Sequence, residues 1–171
     1  MARGTITLRR PIVLDLGAVA KGLAIDLAAH ELASFESACV DAGGDLFAWG
    51  RNRKGQPWRV GVQHPREPDA IVYLLDVGDQ AVCTSGDYER RTDNGDEHHL
   101  IDPRGGAAVD ALASVTVIAP TALAADGLAT AAFILGPERG LRLLEAEGVA
   151  GVLVTPAGLV HTTRGLGGAT Q

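Results

Sequence analysis

The spacing of apolar residues changes at Gly17 from a strand-like to a helical period. From Val19 to Ala33 the apolar residues recur with the period of an α-helix, which predicts an amphipathic helix. The apolar positions of that helix are Ala20, Leu23, Ala24, Leu27, Ala28 and Leu32. The same period predicts helices over Ala122–Leu135 and Pro137–Glu147, the second of which starts with a proline, a residue suited to a first helical turn.

The other apolar runs are short and rich in β-branched residues, which is typical of strands. We predict strands at Thr5–Leu8, Ile12–Leu16, Ser37–Ala42, Leu46–Trp49, Trp58–Gln63, Ile71–Val77, Gln80–Thr84, His98–Ile101, Ser114–Ala119, Val152–Val154 and Leu159–Thr162. Turn signals such as Asn94-Gly95 separate them. The pattern therefore predicts an α/β fold of the α+β type, with a mostly antiparallel mixed sheet packed against helices.

Length and charge narrow the class of protein. A chain of 171 residues is near the usual size of one domain, so residues 1–171 are expected to form a single domain. The formal net charge of −6 argues against a nucleic-acid-binding surface, which would need clustered Lys and Arg. No apolar run is long enough for a membrane span, and the first residues do not have the pattern of a signal peptide. As written, the chain is expected to be cytoplasmic.

Cys39 and Cys83 lie in apolar runs and are expected to be buried, inert thiols.

The strongest chemical signal is a pair of oxygen-bearing side chains on the second predicted helix. Asp126 and Thr130 are one turn apart and therefore share a face. A carboxylate and a hydroxyl suit Mg²⁺ that is also bound to a substrate phosphate. Such a pair is more often a solvated acid and a threonine bonded to the preceding turn. The helix is apolar nearly all round, however, and an acid in that setting needs a partner.

Two glycine-containing turns are candidates for binding an anion or a nucleotide. In Asp15–Gly22 a glycine leaves a strand and Lys21 lies in the first turns of a helix, where backbone amides and the positive helix end favour phosphate. A capped helix with a surface lysine is an equally good interpretation. In Asp41–Asp45 the pair Gly43-Gly44 allows either close approach of a ligand or an ordinary hairpin turn.

Two later segments carry polar groups suited to a nucleotide. Thr84–Arg90 ends a strand with small polar residues and then offers an aromatic ring and an arginine, although it could also be a surface turn. His98–Arg104 places histidines beside an acid and an arginine, a possible acid–base site. Adjacent histidines on a strand face opposite ways, so one at most is expected to enter a site.

Taken in order, six segments resemble the FAD:protein FMN transferase (ApbE) family. They are Leu14–Asp26, Asp41–Asp45, Trp58–Gln63, Thr84–Arg90, His98–Arg104 and Asp126–Thr130, and the resemblance runs from about Leu14 to Val154. It implies Mg²⁺-dependent protein flavinylation, in which FAD is split, FMN is attached to a Thr or Ser hydroxyl of a target protein, and AMP is released. Two alternatives stay open: hydrolysis of FAD to FMN and AMP, and flavin or nucleotide binding without catalysis.

The resemblance also assigns roles to residues by their positions in these motifs. Asp126 and Thr130 correspond to side-chain metal ligands, and the backbone carbonyl of Ala18 is expected to add a third. His99 corresponds to a catalytic histidine. The residues expected to bind FAD are Lys21, Gly43, Gly44, Asp45, Ser85, Gly86, Asp87, Tyr88, Arg90, Asp102 and Arg104.

The chain departs from the family pattern in three places. It has Gly105 where the family usually has Thr, and Gly127 where it has Ala. It also begins after the point at which the family normally has a further N-terminal segment that lines the flavin pocket. A separate N-terminal half or a second copy of the chain is therefore a possible partner, and family members are commonly exported or membrane-anchored through that segment. Gly167–Thr170 resembles an acceptor site of the Ser/Thr-Gly-Ala-Thr kind but lacks the first hydroxyl, so we expect a frayed terminus there.

Overall fold

The computed structural model describes residues 7–13, 16–88 and 109–166, together with the backbone of a strand at 168–170. These residues form three helices, α1 (Gly17–Glu31), α2 (Ala122–Leu135) and α3 (Pro137–Ala146). They also form nine strands: β1 (Ala38–Ala42), β2 (Asp45–Trp49), β3 (Trp58–Gln63), β4 (Ile71–Val77), β5 (Gln80–Gly86), β6 (Ser114–Ala119), β7 (Ala150–Val154), β8 (Val160–Thr162) and β9 (Gly168–Thr170). Of these helices, none is long and apolar enough to cross a membrane.

The strands form two antiparallel sheets. One has six strands in the order β1-β2-β5-β6-β7-β8, and the other has three in the order β3-β4-β9. Every described pairing is antiparallel, which two-residue hairpins and short loops readily allow. The predicted α+β fold with mostly antiparallel sheet is confirmed.

The six-stranded sheet is the middle of three layers, and the two faces of β5 show this. Cys83 and Ala81 point into a core that the sheet shares with α1 and α2. Val82, on the opposite face, points into a second core between the two sheets. A strand covered on both faces has no need of polar alternation, and β5 and β6 are accordingly buried along almost their whole length, with small polar residues among the apolar ones.

Helix α2 crosses the centre of the first core, and its sequence defines both ends. The hydroxyl of Thr121 accepts a hydrogen bond from the amide of Ala124 and so caps the first turn. Gly136, at a φ of 77°, ends the helix, and Pro137 starts α3 directly after it. The bounds predicted for α2 are those observed.

Helix α1 is confirmed, but its predicted apolar face is wrong. The buried residues are Gly22 and Ile25, whereas Leu23 and Leu27 are 46% and 59% exposed. The helix contacts the backbone of α2 at Gly22, and Ile25, not the leucines, is its large side chain in the core. A methyl group added at Gly22 would lie only 2.3 Å from the carbonyl oxygen of Ala122, so the two backbones are in direct contact here.

Several smaller expectations are corrected. Ile12 and Val13 are exposed and lie outside any strand, as does Leu8. Cys83 is buried as predicted, but Cys39 is exposed, because β1 is an edge strand of the sheet. The segment expected to be frayed contains β9, which pairs with β4. The strand predicted at His98–Ile101 lies outside the described residues.

Candidate functional site

The carboxylate of Asp126 lies at the contact between α1 and α2. Only 7% of the residue is exposed, and its Oδ2 accepts a hydrogen bond of 2.9 Å from the amide of Gly22. In a regular helix that amide is the partner of the Ala18 carbonyl, four residues earlier. The acid predicted to need a partner therefore has one on a different helix, 104 residues away in sequence.

Thr130, one turn along α2, reaches the end of β5. Its hydroxyl lies 3.0 Å from the hydroxyl of Ser85. A predicted metal ligand and a predicted nucleotide-binding residue are thus in hydrogen-bonding contact. Thr84, the neighbour of Ser85, points to the other face of the sheet, where its hydroxyl lies 2.8 Å from that of Thr116.

Lys21 and Asp45 form an ion pair next to these groups. The distance from Lys21 Nζ to Asp45 Oδ2 is 2.8 Å, with the lysine side chain 35% exposed and the aspartate 1% exposed. The other oxygen, Oδ1, accepts a hydrogen bond of 2.8 Å from the amide of Thr84. The pairing of β2 with β5 ends at Leu46 and Val82, so the Asp45 side chain takes the place of a strand partner for that amide. This contact fixes Asp45, and Asp45 in turn holds Lys21.

Charged groups of α1, α2 and β2 affect the pKa of one buried thiol. Burial raises the pKa of Cys83, and the charges of Asp45, Asp126 and Asp26 raise it further, while Lys21 lowers it. Three carboxylates and one ammonium group therefore act on the same point, and their sum is negative.

Gly43 and Gly44 form the turn of the β1–β2 hairpin. Both have positive φ values, 65° and 91°, as a two-residue hairpin turn requires. The carboxylate of Asp41 accepts a hydrogen bond of 3.0 Å from the Gly44 amide, and no atom lies within 4 Å of a side chain added at either glycine. Of the two interpretations of this motif, the hairpin explains both glycines.

A second ion pair fixes the segment after β5. The guanidinium of Arg66 binds both oxygens of Asp87 at 2.6 Å, and this contact raises the pKa of the arginine. The ring of Tyr88 lies over Gly86, where it fills the space that a side chain would need. The sequence did not mark Arg66 as a site residue, because it lies in a polar turn after β3 and contacts Asp87 only in the folded protein.

The structure brings together part of the predicted site. Lys21, Asp45, Ser85, Asp126 and Thr130 meet where α1, α2 and the ends of β2 and β5 come together. Ala18 is in the first turn of α1, and Gly86, Asp87 and Tyr88 continue from Ser85. The predicted residues Arg90, His99, Asp102 and Arg104 lie outside the described part of the chain. Within that part, no group of three or more His, Cys, Asp or Glu residues could hold a metal ion by itself.

Comparison with known proteins identifies the family of the chain. Residues 3–153 match the sequence profile of the ApbE family. The chain belongs to the ApbE family. Among relatives of this ApbE chain, the FAD:protein FMN transferases of Escherichia coli K12 and Treponema pallidum are 37% and 40% identical to it. These alignments cover 86% and 90% of the chain, but 44% and 46% of the relatives.

Solved ApbE structures share the fold. The ApbE protein of Thermotoga maritima matches with a TM-score of 0.80 and 34% identity, over 88% of this chain and 51% of that one. The flavin transferase ApbE of Vibrio cholerae matches with a TM-score of 0.76 and 32% identity, over 90% and 51% of the two chains. The chain thus spans about half the length of these relatives, or slightly less.

Proposed function

We propose that this ApbE chain transfers FMN from FAD to a Thr or Ser hydroxyl of an acceptor protein, with Mg²⁺ and with release of AMP. Family membership and the names of the relatives support flavin transfer. The observation that carries the proposal is the contact of Asp126 with α1 and of Thr130 with Ser85, next to the ion pair of Lys21 with Asp45. A carboxylate and a hydroxyl one helical turn apart suit Mg²⁺ that is also bound to a diphosphate, and the lysine adds a positive charge for the phosphates.

The residues present fit Mg²⁺ of the phosphate-bound kind. Asp126 brings a carboxylate, whose Oδ2 accepts from the Gly22 amide, and Thr130 brings a hydroxyl one turn away. The Ala18 carbonyl, in the first turn of α1, is proposed as a third oxygen ligand, since a carbonyl oxygen has two lone pairs and can bind a cation beside a helical hydrogen bond. Mg²⁺ prefers such a mixed set of oxygens, completed by substrate phosphates and water. When bound, the ion would neutralise the diphosphate of FAD.

The other residues of the site are proposed to bind FAD or to hold neighbouring side chains in place. Lys21, held by Asp45, presents a positive charge at the first turns of α1, where helix amides also favour anions. Ser85 holds the Thr130 hydroxyl, so rotation of the threonine side chain is restricted. Arg66 fixes Asp87 and thereby the backbone that leads into Tyr88, whose ring and neighbouring Arg90 are proposed to bind the nucleotide. His99 is proposed to accept the proton of the attacking hydroxyl.

Release of AMP from FAD tests the proposal. Purified chain is incubated with FAD and Mg²⁺, with or without a peptide containing Ser-Gly-Ala-Thr, and AMP and flavinylated peptide are separated by chromatography. Transfer predicts AMP in equal amount to flavinylated peptide and little AMP without peptide. Steady AMP release without peptide would indicate FAD hydrolysis instead. FAD binding without AMP in either reaction would indicate a flavin-binding protein.

Substitutions in the same assay test the roles of individual residues. Asp126→Asn should lower AMP release by about 100-fold, as expected when one group that stabilises transition-state charge is lost. Asp76→Asn is the matched control, because that aspartate is exposed and pairs with Arg59 at the surface. His99→Ala should lower turnover far more than FAD affinity, and His98→Ala should have a small effect. Unchanged activity in Asp126→Asn would refute the metal assignment.

A further inference from the structure

Helices α1 and α2 exchange a reciprocal pair of contacts between carboxylates and backbone amides. Asp126 of α2 accepts from the amide of Gly22 in α1. In return, Asp26 of α1 accepts from the amides of Ala122 and Leu123 at the start of α2, at 2.7 and 2.9 Å. In each helix the donor and the acid are four residues apart, so the two contacts are one turn apart and the helices run antiparallel.

Asp26 does more than an ordinary helix cap does. The first turn of α2 already has a cap from its own chain, since Thr121 accepts from the Ala124 amide at 3.2 Å. Asp26 takes two further amides of the same turn, and it does so from the neighbouring helix. A bidentate contact between two helices fixes how far one can slide along the other, which a cap within one helix cannot do.

The close contact of the two backbones leaves the helices little freedom to shift along each other. The Gly22 Cα faces the Ala122 peptide with no room for a methyl group. The Gly22 amide can reach Asp126 only when Ala122 lies against Gly22, and Asp26 holds Ala122 in that place. The orientation of the Asp126 carboxylate therefore depends on Asp26, which lies one helical turn from Gly22 and was given no role of its own by the sequence.

We propose that Asp26 is a positioning residue, which holds α2 in the register that directs the Asp126 carboxylate into the site. The functional consequence rests on the proposed Mg²⁺ site, since a displaced Asp126 would bind the ion less well. Positioning itself can be measured without metal, at the Gly22 amide.

The test compares Asp26→Asn with Thr121→Ala. Asparagine has nearly the shape of aspartate, but it presents an NH₂ group to one of the two amide donors and carries no charge. Thr121→Ala removes a cap from the same helical turn and leaves the contacts between helices in place. Exchange of the Gly22 amide is followed by NMR on the metal-free chain, and Mn²⁺, as a probe for Mg²⁺, is titrated into each protein by calorimetry.

We expect Asp26→Asn to speed exchange of the Gly22 amide by at least about 10-fold and to weaken Mn²⁺ binding by about 10-fold, as removal of groups that orient a metal ligand typically does. Thr121→Ala should change each by less than about 3-fold at comparable loss of stability. Equal acceleration at Gly22 in both variants would overturn the proposal, because Asp26 would then act only as a second cap. Absence of Mn²⁺ binding in the unmodified chain would refute the metal site, while the Gly22 result would still decide the positioning role.

Discussion

Replacing Gly22 with alanine should destabilise the protein, although alanine is the better helix former. The new methyl carbon would lie 2.3 Å from the carbonyl oxygen of Ala122, 2.6 Å from its carbonyl carbon and 2.8 Å from the amide nitrogen of Leu123. All three are backbone atoms, so no side chain can rotate away. To reach ordinary contact the helices must separate by about 1 Å, which is a typical overpacking strain.

The size of the effect follows from what that separation breaks. A shift of about 1 Å takes the contact of Gly22 with Asp126, 2.9 Å long, out of hydrogen-bonding range, and it stretches the contacts of Asp26 with α2. Hydrogen bonds to charged groups contribute about 1.5–3 kcal/mol each. Alanine regains about 1 kcal/mol through helix propensity. The net loss should be about 3 kcal/mol, which for a domain of this size lowers Tm by about 6–12 °C.

Gly127→Ala is the matched control for this experiment. Gly127 lies in the neighbouring helix, and a methyl group there would meet only the tip of the Val19 side chain, at 3.2 Å. That side chain can move, so the substitution should be neutral or stabilise by up to about 1 kcal/mol. Both variants are measured by urea unfolding and by thermal unfolding followed by circular dichroism. Stability of Gly22→Ala equal to that of the unmodified chain, or an equal loss in Gly127→Ala, would refute the close contact between the helices.

Two further predictions concern other parts of the structure. The ion pair of Arg66 with Asp87 is bidentate but partly exposed. A double-mutant cycle with Arg66→Ala and Asp87→Ala should therefore give a coupling free energy of about 1 kcal/mol, which becomes smaller in high salt. A coupling free energy of zero would contradict the pairing. The pKa of the Cys83 thiol is raised in the folded protein. Above the unfolded-state pKa of about 8.5, the unfolded chain therefore loses a proton that the folded chain keeps, and the free energy of unfolding should fall by about 1.4 kcal/mol per pH unit. This loss should be smaller in Cys83→Ala, in which only Cys39 has a raised thiol pKa, when unfolding of the two proteins by urea is compared from pH 8 to pH 10; parallel curves would argue against a buried Cys83 thiol.

The sequence predicted those elements whose pattern is set locally. The bounds of β3, β4, β6 and α2 agree with the structure, because each is an apolar run with clear turn or cap residues at its ends. The face of α1 was not predictable in this way. Its leucines Leu23 and Leu27 are exposed, and its contact with α2 depends on Gly22, a residue that no measure of hydrophobicity marks as part of a core.

The residues of the candidate site were also predictable only in part. Asp126 and Thr130 could be paired from their spacing on one helix, and Ser85 from its place at the end of a strand. The partners of Asp126 and of Asp87 could not, because Gly22 and Arg66 are distant in sequence and meet them only after the layers have packed. Side chains whose role is to position others have no chemistry of their own to mark them.

Strand β9 affects how the protein reaches its folded state. It pairs with β4, and the nearby Tyr73 hydroxyl donates a hydrogen bond to the carbonyl of Leu166, 93 residues later in sequence. Contacts between such distant segments form late in folding, since a long loop must close first. Until then β4 has an open edge, to which a strand of another molecule can add. Self-association during refolding should therefore begin at the β3–β4 hairpin rather than at the helices.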